Sequence, residues 1–405
     1  MKKILTLVFL LFAVFSIKAQ EDSTWKPETH ITGYVNTEAE YVDLSVWKDA
    51  KQNFAAGLSE AAFLVSYKPL KQLEFKGTFV YSHFTQDIQS LLVEGSATYT
   101  FNSMLKIGAG KYLTPLSPVN QYFYAPMNAS VSLPMLVSHH VILPQSISGL
   151  QIAGEFGSEL KVGYNVTYGN YLSIGHYPYG ILGIQGQEDD ALYMPNTVSP
   201  VAPAFQLGGS ARVYANFNDI VNVGFNYFDG RHSSLVVNNI VNGALNPFST
   251  NAIRQTYGID MQLKFNNLKI NGEYWLGTQK TTDLDEQIKY NYPGYYGEII
   301  YEVGKFSPYL RYDYISDAKS TIYFPYPTGK LYSVESELTG YTAGIAFRPI
   351  YEILLKLEFR HLSNVMDYSN QNVPILTAMH IDPTNPLGIT QNQYNYFGAS
   401  IVFSF

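Results

Sequence analysis

Residues 253–265 read IRQTYGIDMQLKF, and apolar and polar side chains alternate along this stretch. On an extended chain one face would carry the apolar side chains Ile253, Tyr257, Ile259, Met261, Leu263 and Phe265. The opposite face would carry the polar side chains Arg254, Thr256, Asp260, Gln262 and Lys264. Because successive side chains of a β-strand point to opposite sides, this period of two predicts a strand with one apolar and one polar face.

The same alternation recurs from one end of the chain to the other, and no linker interrupts it. It predicts about sixteen strands, near residues 29–41, 56–67, 71–82, 91–101, 104–112, 149–157, 159–168, 204–217, 220–230, 253–265, 268–278, 293–303, 306–316, 338–348, 351–362 and 393–405. The chain contains 34 Tyr and 24 Phe but only 3 Trp, and it has no convincing amphipathic helix. Aromatic residues are enriched in strands, so the composition favours an all-β fold in one closed unit.

The connections between these segments alternate strictly between short and long. Short turns fall at 68–71, 102–103, 157–158, 218–219, 266–267, 304–305 and 349–350. Long polar loops fall at 42–55, 83–90, 113–148, 169–203, 231–252, 279–292, 317–337 and 363–392. An even strand number with short turns at one end and long loops at the other is typical of a bacterial outer-membrane barrel. The expected fold is a sixteen-stranded antiparallel transmembrane β-barrel with short periplasmic turns and long external loops.

The lipid bilayer gives this prediction its physical reason. Backbone groups cannot stay unpaired in hydrocarbon, so a sheet that crosses a membrane must close on itself. Tilted strands of about 9–11 residues are long enough to cross. The apolar faces would then point to lipid and the polar faces to the lumen. A soluble β-sandwich also alternates, but it rarely has strands this long, numerous and aromatic.

The first 19 residues predict a signal peptide, with Lys2 and Lys3 before an apolar core at 4–17 and the small Ala19 at the cleavage site. A membrane-anchoring helix is the alternative, but the apolar run is short for one. We assign residues 20–28 to a short periplasmic segment and residues 29–405 to the barrel. Cysteine is absent, which excludes disulfides, thiolate metal sites and lipid-anchoring cysteines. The formal charge of −7 argues against nucleic acid as a partner.

Residues 113–148 read LTPLSPVNQYFYAPMNASVSLPMLVSHHVILPQSIS and interrupt the strand pattern. The stretch has no Asp, Glu, Lys or Arg and no clean period of 2 or 3.6. A structureless insert of this length in a compact domain is usually functional or disordered. We expect it to be a third external loop that folds into the barrel and narrows the pore.

The last strand ends the chain with alternating apolar residues, Phe397, Ala399, Ile401, Phe403 and Phe405. A terminal Phe preceded by such alternation resembles the signal that the barrel-assembly machinery of the outer membrane recognises. Phe397, Ile401, Phe403 and Phe405 are therefore the candidate assembly residues.

In architecture, nearly the whole chain after residue 19 resembles the sixteen-stranded bacterial outer-membrane porins. The sequences GKYLTPL (110–116) and LPQSISGLQIAGEF (143–156), on either side of the long loop, look most like the phosphate-selective porin group. The resemblance implies a homotrimer in the outer membrane of a Gram-negative-type bacterium, in contact with the bilayer and its outer-leaflet lipids. It also implies a third loop in each pore and small hydrophilic solutes. That group carries arginines and lysines along its channel, whereas residues 112–154 here hold no charge.

Alternation places several charged side chains on the lumen side. The basic candidates are Arg212, Arg254, Arg311, Lys356 and Arg360. The acidic candidates are Glu94, Glu155, Asp260, Glu273, Glu298 and Glu358. Rings of charge on a pore wall set ion preference through their local field. The alternative is that these side chains pair with one another across neighbouring strands.

Within the loop, Tyr122, Phe123 and Tyr124 would either form an aromatic rail for sugar rings or anchor the loop to the wall. The amides Asn120, Gln121, Asn128 and Gln145 offer neutral hydrogen bonds to a passing solute. His139 and His140 are adjacent, so on an extended backbone they point apart and make a poor metal pair. A pH-sensitive gate at this pair is an alternative.

Motifs for an enzyme, a metal site or a cofactor are absent: there is no G-x-S-x-G, H-E-x-x-H or G-x-x-x-x-G-K-[ST] sequence. His83, His232 and His361 fall at strand tips, where surface histidines are common. We therefore expect a weakly selective porin for passive diffusion that is not an enzyme. One alternative is an anion- or phosphate-selective pore using the arginines. Others are a barrel enzyme or adhesin with a plugged lumen, and a soluble periplasmic β-protein.

Overall fold

A computed structural model of the chain describes residues 25–43, 54–82, 91–138, 144–172, 206–241, 244–281, 289–324, 330–367 and 389–405. In this part of the chain sixteen strands form one closed antiparallel barrel, in which each strand pairs with its sequence neighbours. The strands are β1 (Glu28–Val42), β2 (Phe54–Leu70), β3 (Leu73–Ser82), β4 (Leu92–Asn102), β5 (Leu105–Leu113), β6 (Ser146–Phe156), β7 (Leu160–Leu172), β8 (Gln206–Phe217), β9 (Val221–Val241), β10 (Ala244–Phe265), β11 (Leu268–Thr281), β12 (Lys289–Tyr301), β13 (Phe306–Phe324), β14 (Lys330–Ile350), β15 (Ile353–Asp367) and β16 (Ile389–Ser404). The predicted fold class and strand number are confirmed.

The first and last strands close the barrel. β1 pairs with β16 in a register that sets Thr37 opposite Ile401. At the end of the seam, the Phe405 N–H donates to the Gly33 carbonyl and the Gly33 N–H donates to the Phe405 carbonyl, both at 3.0 Å. Closure pairs the edge groups that an open sheet would leave free.

The two faces of the wall differ as the alternation predicts. Phe75, Tyr257 and Phe403 lie on the outside with 43%, 43% and 50% of their surface exposed. On the same strand as Tyr257, Arg254 and Asp260 point inward and are buried. An apolar exterior around a polar interior is the reverse of a soluble barrel and matches the solvent order of a bilayer.

Val93 departs from this pattern. Its place in the alternation predicts the outer face, but Val93 is buried and packs in a cluster inside the barrel. The pairing of β3 with β4 shifts by one residue between Thr78 and Phe79. An extra residue in one strand interrupts the alternation of faces, and the sequence does not reveal where that happens.

Seven connections of two to four residues lie at one end of the barrel, at 71–72, 103–104, 157–159, 218–220, 266–267, 302–305 and 351–352. Several of these turns require a left-handed backbone. Asn218 and Asp219 have φ of 50° and 56°, and Asn266 has φ of 51°. Asn and Asp tolerate this conformation better than other non-glycine residues, so these residues favour tight turns here.

At the other end, two predicted loops are mostly strand. The pattern predicts a loop at 231–252, but β9 runs to Val241 and β10 begins at Ala244. Likewise, β13 and β14 occupy most of 317–337. Ladder hydrogen bonds involve only the backbone, so two paired strands can extend together without an apolar face to mark them in the sequence.

The connection from β5 to β6, residues 114–145, is the third loop and is described except for 139–143. It is slightly shorter than the predicted 113–148 because the flanking strands extend into it. It contains two one-turn helices, α1 (Pro118–Gln121) and α2 (Met135–Ser138), and a 3-10 turn at Ala125–Met127. Among the described residues no helix is both long and apolar enough to cross a membrane.

Candidate functional site

The start and end of the third loop are tied together by one side chain. The Asn120 side-chain amide donates to the Thr114 carbonyl at 3.0 Å, to the Thr114 hydroxyl at 2.9 Å and to the Gln145 carbonyl at 3.1 Å. Asn120 and Gln145 are both buried. Ser117 caps α1 by accepting from the Asn120 N–H at 3.3 Å. The Asn120 amide therefore holds the base of the loop together.

Glu273 of β11 attaches this base to the wall. The Ser117 hydroxyl donates to one Glu273 oxygen at 2.6 Å. Tyr296 donates to the same oxygen at 2.9 Å, and the Trp275 indole donates to the other at 2.8 Å. Glu273 is buried, and these three donors take the place of the water it has lost.

Farther along, the loop lies against charged side chains of β13 and β15. We call Arg311, Asp313, Lys356, Glu358 and Arg360 the anchoring wall. Each of them is at most 4% exposed. Because the loop has no charged residue of its own, the first four of these side chains bind mainly its backbone, and Arg360 contacts Asp313.

Glu358 and Arg311 bind the segment around Ser132 from two sides. Glu358 accepts from the Val131 N–H at 3.0 Å, the Ser132 N–H at 3.2 Å and the Ser132 hydroxyl at 2.5 Å. Arg311 donates to the Ser132 carbonyl at 2.9 Å and to the Leu133 carbonyl at 3.3 Å. Hydrogen bonds to charged groups are stronger than neutral ones, so this contact fixes the loop firmly.

Two more residues of the anchoring wall extend this attachment. The Lys356 ammonium donates to the Ala125 carbonyl at 2.8 Å and to the Ser130 carbonyl at 2.9 Å. Asp313 accepts from the Met135 N–H at 2.8 Å, at the start of α2. The loop is thus bound to the wall at the 3-10 turn, through Ala125, and at the start of α2, through Met135.

Apolar contacts also pack the loop against the inner wall of the barrel. Leu116, Met135 and Leu136 are essentially inaccessible, in a cluster with lumen-facing side chains such as Trp275 and Phe228. A second cluster holds Leu113 at the end of β5 and the loop residues Phe123, Tyr124 and Ala125 against β1–β4 and β14–β16. The Tyr124 ring meets the Tyr34 ring edge-on at a centroid distance of 6.3 Å. Phe123 and Tyr124 therefore anchor the loop.

Several of the predicted lumen charges lie in contact with an opposite charge. Arg212 binds Asp260 through two bonds of 2.7 and 3.1 Å. Arg311 lies 3.6 Å from Glu298, and Arg360 lies 3.6 Å from Asp313. The Arg254 guanidinium lies 5.9 Å from the centroid of the Phe228 ring. Their effect on ion preference stays a prediction.

Sequence reasoning missed Asp313, which is fully buried and contacts Arg311 at 2.9 Å. The signal was available, since Asp313 lies two residues after Arg311 on the lumen face of the same strand. It also missed Ser132, an ordinary serine in an irregular segment, and no local signal distinguishes it.

A cavity of about 700 Å³ lies on the side of the loop away from the anchoring wall. Its wall is formed by lumen-facing side chains of β3–β10 near the short-turn end, and the loop covers it with residues that include Gln121, Tyr122 and Met127. The charged residues that line it are Glu74, Lys76, Glu94, Lys106, Glu155 and Arg212. Three are acidic and three are basic, so the formal charges of the cavity lining cancel.

The remaining predicted residues divide by position. Tyr122 is 52% exposed and lines the cavity together with Gln121. Asn128 turns back on the loop and donates to the Tyr122 and Tyr124 carbonyls at 3.0 and 3.1 Å. The assembly candidates Phe397, Ile401, Phe403 and Phe405 lie on the outer face, 43–69% exposed.

Some predicted residues fall outside the described part. They are His83, His139, His140 and the side chain of His232. The His361 imidazole lies 2.9 Å from the Asn395 amide oxygen, at the long-loop end of the barrel. Among the described residues no three His, Asp or Glu side chains are grouped to hold a metal ion.

Comparisons of sequence find no match: no family model fits the chain, and no curated protein is similar to it. Solved structures with a similar fold do exist. OmpT, an outer membrane protein of Vibrio cholerae, matches with a TM-score of 0.59 at 12% identity, over 95% of this chain and 99% of its own. An anion-selective porin from Comamonas acidovorans matches with a TM-score of 0.55 at 13% identity, over 94% and 100%. The outer membrane channel DcaP of Acinetobacter baumannii matches with a TM-score of 0.53 at 10% identity, over 95% and 99%. The chain therefore has the barrel fold of these outer-membrane proteins.

Proposed function

We propose that this protein is an outer-membrane porin through which small hydrophilic solutes diffuse passively with weak selectivity. The observation that carries the proposal is the cavity between the uncharged loop and the polar wall, inside a closed barrel whose exterior is apolar. A barrel of sixteen strands is wide enough to hold an aqueous channel, whereas eight strands are filled by their side chains. An apolar exterior suits such a barrel to the bacterial outer membrane.

Weak selectivity follows from the charges that a solute would meet. The cavity lining carries three acidic and three basic side chains. The basic residues of the anchoring wall lie against the loop, where Arg311 and Arg360 contact Asp313, and this opposite charge weakens their field in the cavity. The anion selectivity in the name of the Comamonas porin therefore does not extend to this chain.

The assembly of the protein is part of the same proposal. We expect a homotrimer in contact with membrane lipids, inserted by the barrel-assembly machinery through its terminal strand. The outer-face positions of Phe397 and Phe403 keep them available to another chain or to lipid. One solved form of the Vibrio OmpT is described as a trimer.

Conductance in planar bilayers tests the proposal. Purified protein should give stepwise channels, and the reversal potential in a tenfold KCl gradient should lie near zero. A reversal potential close to the chloride or the potassium equilibrium value would contradict weak selectivity. Absence of any conductance, with the barrel shown to be folded by its heat-modifiable mobility in gels, would contradict the channel and favour a plugged barrel enzyme or adhesin.

A further inference from the structure

Tyr122 is the aromatic residue of the loop that anchoring does not explain. Its neighbours Phe123 and Tyr124 are buried at 8% exposure, whereas Tyr122 is 52% exposed and lines the cavity. An aromatic ring in water presents an apolar face that is most stable when another apolar surface covers it. In Tyr122 the loop offers such a face at the edge of a cavity that is otherwise polar.

The wall of the cavity provides the complementary groups. Its amides are Gln151, Asn165, Asn216, Asn222 and Gln262, all on lumen-facing positions of β6–β10, and Gln121 of the loop adds a sixth. Each amide carries an oxygen that accepts and an NH₂ group that donates hydrogen bonds, so the wall suits a ligand rich in hydroxyl groups.

Other groups of the wall are held in fixed positions. The Tyr214 hydroxyl donates to Glu155 at 2.9 Å, and the Arg212 guanidinium lies 4.9 Å from the centroid of the Tyr214 ring. Arg212 in turn binds Asp260. Groups that are already oriented lose little conformational entropy when a ligand binds, which raises the affinity available from each contact.

We infer that the cavity is a binding site for a neutral sugar of one or two rings. The apolar face of the sugar stacks on Tyr122, and its hydroxyls form hydrogen bonds with the amides of the lining, such as Gln151 and Gln262, and donate to Glu155. The volume of about 700 Å³ lies within the range of roughly 300–1,000 Å³ typical of small-molecule sites. The inference deepens the proposed function and rests on it for the path of the solute, but the binding itself does not depend on conduction.

A charged ligand fits this site less well. The formal charges of the lining cancel, and Arg212 and Glu155 already have partners in the wall. An anion or a cation would have to compete with those partners and would lose its hydration without a net opposite charge to replace it. A neutral polyhydroxy compound needs only hydrogen bonds and one apolar face.

The test is block of ion current by maltose and by glucose in single-channel recordings, compared with block by ethylene glycol oligomers of equal size. Both sugars should reduce the current at lower concentrations than the glycol oligomers do. The Tyr122→Ala variant should raise the half-blocking concentration by about tenfold, measured against the unblocked current of the same variant. Tyr122→Phe should keep the block. Met127→Ala is the matched control, because Met127 is also exposed on the loop beside the cavity.

Calorimetry of the same sugars with detergent-solubilised protein tests the sugar site separately from the proposed channel. A heat of binding that Tyr122→Ala abolishes supports the sugar site even in a barrel that does not conduct. Normal conductance, with sugars blocking no better than glycol oligomers and no heat of binding, would overturn the sugar site and leave the proposed channel standing. Equal loss of block in Tyr122→Ala and Met127→Ala would also overturn it, because the effect would then come from the shape of the loop.

Discussion

Two parts of the polar inner wall of the barrel, the anchoring wall and the wall of the cavity, have different roles. The anchoring wall on β13 and β15 is buried and binds the loop through Arg311 and Glu358. The wall of the cavity, formed by β3–β10, also carries charges, but residues such as Glu94 and Glu155 are only partly buried. Both parts look alike in sequence, since each alternates polar and apolar side chains.

The difference shows that a lumen-facing charge is not necessarily a charge that a solute meets. An uncharged loop still has backbone N–H and C=O groups, and these need partners when they are buried. The anchoring wall provides them, as Glu358 does for Val131 and Ser132. The loop therefore occupies the charges of one side of the barrel, and the ions in the cavity are exposed mainly to the charges of the other side.

The largest effect is expected from removing Glu358, which tests whether the anchoring wall holds the loop. Glu358→Ala leaves Arg311 with less compensating charge and frees two loop N–H groups, so stability should fall by about 3–5 kcal/mol. The released loop should also raise the mean single-channel conductance and its noise. The measurements are thermal unfolding in detergent and planar-bilayer recording.

The matched control is Glu155→Ala on the cavity wall, where the carboxylate accepts from Tyr214 and has no bond to the loop among the described contacts. This variant should be less destabilised and should keep a quiet current. If both variants lose the same stability and become equally noisy, the distinction between the two walls is wrong.

A second prediction compares the ion preference of a variant in the cavity wall with that of a variant in the anchoring wall. Glu94→Lys replaces a negative charge of the cavity lining by a positive one, and the permeability ratio of chloride to potassium should rise by about twofold or more. Lys356→Met on the anchoring wall removes a charge that already binds two loop carbonyls. Its reversal potential should stay close to that of the unaltered protein.

Reversal potentials in a KCl gradient measure both variants, with the gel mobility of the folded barrel as the check on Lys356→Met. A larger shift for Lys356→Met than for Glu94→Lys would mean that the anchoring wall faces the ions after all.

The smallest effect is expected from Tyr214→Phe. This change removes one hydrogen bond to Glu155 and keeps the ring, so the free energy of unfolding should fall by only about 0.5–1.5 kcal/mol. Conductance should be unchanged, because the loop makes none of the contacts that are lost. Chemical denaturation in detergent gives the first quantity and bilayer recording the second. A conductance change as large as that of Glu358→Ala would show that the cavity wall also positions the loop.

Much of the fold was accessible from the sequence because a barrel wall is a local pattern. The alternation at 253–265 places Tyr257 outside and Asp260 inside, and the structure agrees. The extended hairpin of β9 and β10 was missed, since backbone pairing leaves no trace in side-chain polarity. Val93 was misplaced for a related reason, because one extra residue at the β3–β4 pairing interrupts the alternation without any distinctive sequence.

By itself the sequence determined the closed, sixteen-stranded wall and its apolar outside, because each strand needs only its own period of two to choose its faces. The tertiary structure alone decided which inward charges hold the loop and which remain beside the cavity. Ser132 and Glu358 are 226 residues apart in the chain, and nothing local to either one indicates the other. Only the folded path of the loop through the barrel brings such residues together, and that path depends on how every strand packs around it.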